Sequence, residues 1–225
     1  MKAKIQAKRM VKVKKIRNSF IVSMCLLTAF MLWTVAICFV DVQAIGPQGS
    51  SVGFAGINGF IHNLTGVHFS LYHITDWLGL VPIFVCTGFG MLGLVQWIKR
   101  KSIRKVDIDI LVLGGFYIVT IAVYLVFESV IINYRPVLIN GYLEASYPSS
   151  TTMLVMCVMP TAIMQFNRRI KNKALRNIVA VAIIVFIVFM VIGRLISGVH
   201  WSTDIVGGAL LSSGLVMMYY SLSKI

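Results

Sequence analysis

The sequence predicts an all-α membrane protein, a polytopic bundle of six transmembrane helices. Three observations carry that reading. Of the 225 residues, 58% are hydrophobic and 12% charged, against about 45–50% and about 25% in ordinary soluble domains. The apolar residues come in six blocks, most of them close to the roughly 20 residues that cross a bilayer. The Lys and Arg residues gather between alternate blocks, as topology-setting charge does.

Residues 1–18 form a basic leader holding Lys2, Lys4, Lys8, Arg9, Lys12, Lys14, Lys15 and Arg17. The first apolar block, Ser19 to Val40, exceeds the about 7–15 residues of a signal-peptide core. A retained anchor helix is therefore expected, followed by one membrane domain over residues 19–225. Residues 42–76 are rich in Gly, Ser and Asn and contain the amphipathic run FIHNLTGVHFSLYHITDW. This predicts a loop with one or two short interfacial helices, with Phe69, Tyr72 and Trp77 at headgroup level. Asn63-Leu64-Thr65 matches a glycosylation acceptor, a pattern common by chance.

The second block runs from Trp77 to Ile98. The third, Ile108 to Tyr134, is longer than a span needs, so its end should tilt or project. A polar loop, Arg135 to Ser150, leads to the fourth block, Thr151 to Phe166. The fifth is Ile178 to Ile196 and the sixth Thr203 to Leu222. Val and Ile enrich the third and fifth, but length and the absence of period-two polarity favour helices. Gly88, Gly90, Gly93, Gly114-Gly115 and Gly207-Gly208 predict close helix packing.

With six spans and the N-terminus inside, the leader, residues 99–105 and 168–176 and Lys224 hold nineteen of the 21 basic residues. Both termini are then cytoplasmic. This explains the net charge of +14 through topology and anionic headgroups, without nucleic acid. Cys25, Cys38, Cys86 and Cys157 sit inside apolar blocks without metal-type spacing, and the twelve methionines read as packing. No metal or other cofactor is expected. The lack of another targeting signal points to the plasma membrane. Oligomeric state is not legible.

Two basic residues, Arg135 and Arg194, fall instead at outer span ends. On the same outer side lie His62, His68, His73, His200, Asp41, Asp76, Glu128, Glu144 and Asp204. A lone arginine at a helix end is usually a snorkelling anchor. Here, however, Arg194 lies six residues before His200, and Asp204 follows four later. Residues at i and i+4 share a helix face, so Asp204 can accept the Nδ1 proton of His200 and leave Nε2 as nucleophile or base. Arg135 and Arg194 converging there would clamp a phosphate.

At these residues the chain resembles the type 2 phosphatidic acid phosphatase superfamily, described by KxxxxxxRP, PSGH and SRxxxxxHxxxD. Gly193-Arg194, His200 and Asp204 match the third pattern but for the serine. Arg135-Pro136 matches the end of the first, and Pro148-Ser149-Ser150-Thr151 stands at the second. The resemblance implies a membrane phosphatase acting on phosphorylated lipids from the outer face. His200 would form a phosphohistidine, Asp204 would orient it, and Arg135, Arg194, Ser149 and Ser150 would bind the phosphoryl oxygens. Glu128 replaces the family's lysine and Thr151 its general-acid histidine. General acid catalysis is typically worth about 10²–10⁴-fold, and a phosphate leaving group feels its loss less than an alkoxide. Isoprenoid diphosphates are therefore the expected substrates, unless His62, His68 or His73 supplies the proton. The alternative is a catalytically impaired member that binds or moves phosphorylated lipids. A channel or secondary transporter fits poorly, because no helix carries a charged stripe through the midplane.

Overall fold

A computed structural model describes residues 2–224 as helices joined by short links. Helix α1, Lys2–Phe39, runs unbroken through Ser19, where the apolar block begins. Two short helices follow, α2 (Ala55–Thr65) and α3 (Phe69–Leu78), as the amphipathic run predicted. Only Gly79 separates α3 from α4, Leu80–Arg100. Helix α5 is Ile108–Ser129, α6 is Ser150–Arg169, α7 is Lys173–Ile196 and α8 is Ser202–Leu222.

Among the described residues, five stretches are long and apolar enough to cross a membrane: Val13–Phe39, Phe69–Arg100, Ile108–Ser129, Lys173–Ile196 and Ser202–Leu222. Helix α6, counted among six spans from the sequence, falls short on apolarity. The reason is its position. It packs against α4, α5, α7 and α8, and its inward face carries buried Thr152, Thr161 and Gln165. Tyr117 and Thr161 hydroxyls lie 3.2 Å apart, and the Gln165 amide donates to the Tyr219 hydroxyl at 2.6 Å. A helix surrounded by protein can satisfy polar groups that a lipid-facing helix cannot. The other helices present exposed Leu32, Phe84, Ile118 and Val185 outward.

The core collects Phe30, Phe89, Leu113, Phe116, Met153 and Tyr219. Helices α1 and α8 form a long seam. The Ser23 hydroxyl donates to the Gly214 carbonyl at 2.7 Å, and the Trp33 indole N–H to the Thr203 carbonyl at 3.2 Å. Small residues do set close contacts, but not where the sequence placed most of them. A Cβ on Gly88, Gly90, Gly114 or Gly115 would meet open space, whereas one on Gly207 would strike the Tyr147 ring. Gly90, Gly114 and Gly115 instead line an apolar groove between α4 and α5.

At the end carrying the basic links, charges pair locally. Asp109 lies 3.0 Å from Arg169 and 3.6 Å from Arg168. Asp107 receives Arg100 at 2.7 Å and the Gln96 amide at 2.8 Å. At the other end α5 stops at Ser129, five residues before the expected Tyr134, and the chain turns into an irregular ribbon. Backbone N–H groups of Arg135 and Ser146 donate to Glu144 and Asn133 carbonyls at 3.0 and 2.9 Å. This ribbon and the α7–α8 turn close that end of the bundle.

Candidate active site

The ribbon sets Arg135 and Glu144 side by side, and both reach a cavity of about 440 Å³. Glu128 enters it from the last turn of α5, Ser146 from the ribbon, Ser150 from the start of α6 and His200 from the α7–α8 turn. Arg135 is only 8% exposed. Its Nη1 lies 3.1 Å from His200 Nε2, and its Nε lies 3.0 Å from Glu144 Oε2. The latter is an ion pair without hydrogen-bond alignment, which leaves the buried Nε–H unsatisfied.

The turn carrying His200 is fixed by docking. The His68 N–H donates to the Ser197 carbonyl at 2.9 Å. Gly198 has φ +68°, and a Cβ there would collide with the Gly66 carbonyl, so the turn requires glycine. Asn58 of α2 caps α8, accepting from the Ser202 hydroxyl at 2.8 Å and the Thr203 N–H at 3.2 Å.

His200 is 3% exposed. Burial, with the charges of Arg135 and Arg194, holds its pKa well below 6.5, so the imidazole is neutral. An arginine N–H can only donate, so Nε2 facing Nη1 is the unprotonated nitrogen and Nδ1 carries the hydrogen. Nδ1 is 3.6 Å from Asp204 Oδ2, too far for a hydrogen bond. The expected direct bond is therefore replaced by an electrostatic contact. Asp204 is fully buried and already engaged. Its Oδ2 accepts from the Ser146 hydroxyl and from the Trp201 N–H at 2.9 Å, and its Oδ1 from the Asn133 amide at 3.4 Å.

The other expected site residues divide. Arg194 is buried but does not line the cavity. Its guanidinium lies over the Tyr72 ring at 4.7 Å, donates to Thr75 Oγ1 at 3.3 Å and approaches Asp76 at 3.6 Å. Ser149 also lies outside the cavity. It caps α6 by accepting from the Thr152 N–H, and its own N–H donates to the Asp204 carbonyl at 3.1 Å. Thr151 faces a neighbouring apolar groove of about 450 Å³ between α4, α5 and α6. Tyr124, Ser150 and Met153 border both spaces. None of His62, His68 or His73 lines the cavity. His62 packs on Trp201 with ring centroids 5.4 Å apart, and His68 Nε2 lies 2.8 Å from the Thr65 carbonyl. Sequence reasoning missed Ser146, Asn133 and the role of Glu144. Their only signal was being polar in the loop facing Arg194–Asp204.

The family model of the PAP2 superfamily matches residues 129–224. The matched segment contains Arg135, Ser149, Ser150, Arg194, His200 and Asp204, and Glu128 stands one residue before it. The chain is also similar in fold to a transmembrane PAP2 type phosphatidylglycerolphosphate phosphatase from Bacillus subtilis. The TM-score is 0.59 at 18% sequence identity, over 89% of this chain and 94% of that one. No curated protein matches the chain in sequence.

Proposed function

We propose that the protein is a membrane lipid phosphatase that hydrolyses phosphorylated lipids, isoprenoid diphosphates foremost, through a phosphohistidine on His200. The single observation that supports this best is the cavity itself. A neutral buried imidazole and an arginine share its wall, and an apolar groove able to take a lipid tail adjoins it. In this reading Nε2 attacks phosphorus, the P–O bond to the leaving group breaks, and the electron pair departs with that oxygen. Asp204 stabilises the developing imidazolium across the Nδ1 contact, and Arg135 swings from Nε2 to the phosphoryl oxygens. Arg194 supplies positive potential from behind His200 and orients through α3. Ser150 donates its hydroxyl or N–H to the phosphate, while Ser149 holds α6 against Asp204. With Thr151 facing the groove, a leaving group that departs as a stable anion suits the site, which favours diphosphates.

The same reading takes α6 as a sixth, protein-enclosed span. It places both termini in the cytoplasm and the cavity on the outer face of the plasma membrane, as the distribution of Lys and Arg supports.

The test is phosphate release by purified protein in lipid nanodiscs from isoprenoid diphosphates, phosphatidic acid and phosphatidylglycerol phosphate, with His200→Ala as control. Release that is fastest from the diphosphates and lost in His200→Ala is expected. Faster release from phosphatidic acid overturns the substrate preference. Release that persists in His200→Ala overturns the mechanism. One observation favours a second reading, a protein that binds or moves phosphorylated lipids without cleaving them. Arg135 occupies Nε2 and is itself held by Glu144. Lipid binding without phosphate release by the wild type would establish it.

A further inference from the structure

A phosphohistidine must be hydrolysed, and the water that does so must lose a proton. The cavity offers few groups able to take it. His200 is itself covalently engaged at that stage. Ser146 donates to Asp204, and the Tyr147 hydroxyl is paired with Thr34 at 2.7 Å. Glu144 is ion-paired, its Oε2 3.0 Å from the Arg135 Nε. Thr151, at the family's histidine position, lies in the neighbouring groove.

Glu128 remains. It lines the same cavity as Arg135 and His200, and it forms no salt bridge among the described residues. It stands in the last turn of α5, where the helix dipole disfavours an anion and no basic residue compensates. Its neighbour is the neutral Tyr124 hydroxyl, and a carboxylate that breaks a local rule without a cationic partner marks a functional position. The side chain is also exposed, so a captured proton passes directly to solvent.

We propose that Glu128 is the general base of the second half-reaction, a role that rests on the phosphatase reading above. The water oxygen bonds to phosphorus, the P–Nε2 bond breaks and its electron pair returns to His200. The water proton goes to the Glu128 carboxylate, and inorganic phosphate leaves. The first half-reaction on a diphosphate needs no proton donor, so one carboxylate replaces the missing histidine in the step where the loss is felt most. Glu128 is then not a defect in the first motif but the group that lets the cycle close.

Rapid-quench kinetics with a ³²P-labelled isoprenoid diphosphate test this on the full chain. Glu128→Gln should keep a burst near one equivalent while steady-state turnover falls about 100-fold, within the range of a lost general base. It should accumulate an acid-labile, alkali-stable phosphoenzyme that His200→Ala never forms. Formate should restore turnover to Glu128→Ala, which a merely structural carboxylate would not permit. Glu144→Gln should raise KM without accumulating phosphoenzyme. Unchanged turnover in Glu128→Gln overturns the assignment, as does reduced turnover without phosphoenzyme or a failure of formate to rescue. In each of these cases the phosphatase reading stands. A wild type inert towards every phosphorylated lipid overturns that reading, and the assignment with it.

Discussion

The two ends of the bundle handle polar groups in opposite ways. At the end carrying the basic links, Asp109 meets Arg168 and Arg169, Gln165 meets Tyr219, and Asp107 meets Arg100 and Gln96. Each of those two carboxylates has a cationic partner. At the cavity end lie all the buried side-chain polar atoms left without a hydrogen bond among the described residues. They belong to Ser50, His62, Arg135, Thr152, Arg194 and His200. A buried unsatisfied donor costs about 1–3 kcal/mol. One end pairs its carboxylates with cations, while the other leaves polar atoms unpaired, those of Arg135 and His200 on residues that line the cavity.

Substitutions at the two ends should separate these roles. The largest effect is expected for His200→Ala, which should cut phosphate release by about 10³-fold or more and leave lipid binding measurable by fluorescence titration. Arg135→Lys should follow, with a loss of about 10²-fold in kcat/KM, because an ammonium cannot reproduce the planar fork. Gly207→Ala, at the same end, should push the Tyr147 ring aside and loosen its bond to Thr34. A destabilisation of about 1–3 kcal/mol is expected, read as a lower midpoint in thermal unfolding. Asp109→Asn at the opposite end should cost about 1 kcal/mol and leave kcat/KM of the folded protein unchanged. If it abolished turnover, the division between ends would fail.

The smallest effect concerns pH. Burial lowers the pKa of His200 and of His62 below 6.5 in the folded state. The unfolded chain therefore binds more protons just below that pH. Stability should be complete above pH 6.5 and decline as pH falls from there toward the folded values. Thermal unfolding between pH 7.5 and 5 should show this decline, shallower in His62→Gln.

The apolar runs made the helices legible, because a bilayer demands long segments with satisfied backbone. They did not reveal that α6 is enclosed by its neighbours, since Thr152, Thr161 and Gln165 show their reason only when Tyr117 and Tyr219 stand opposite. The end of α5 differs because Val130 to Ile132 continue the apolar run of the helix, yet Asn133 and Tyr134 pair with Ser146 and Ala145. Arg-x5-His-x3-Asp was readable because its spacing is local. The direction of Arg194 was not, because Tyr72, Thr75 and Asp76 reach it from a helix more than a hundred residues earlier. Glu144 and Ser146 owe their places to the ribbon's register, which no local pattern encodes.

The α1–α8 seam has a consequence for biosynthesis. Helix α1 leaves the ribosome long before α8 and must wait in the bilayer with Ser23 and Trp33 lacking their partners. The loop bearing His200 is likewise translated just ahead of α8. A nascent chain halted before that last insertion would carry an open flank and a His200 loop without Asp204 beside it, so quality control could recognise the unfinished protein by its unpaired first helix.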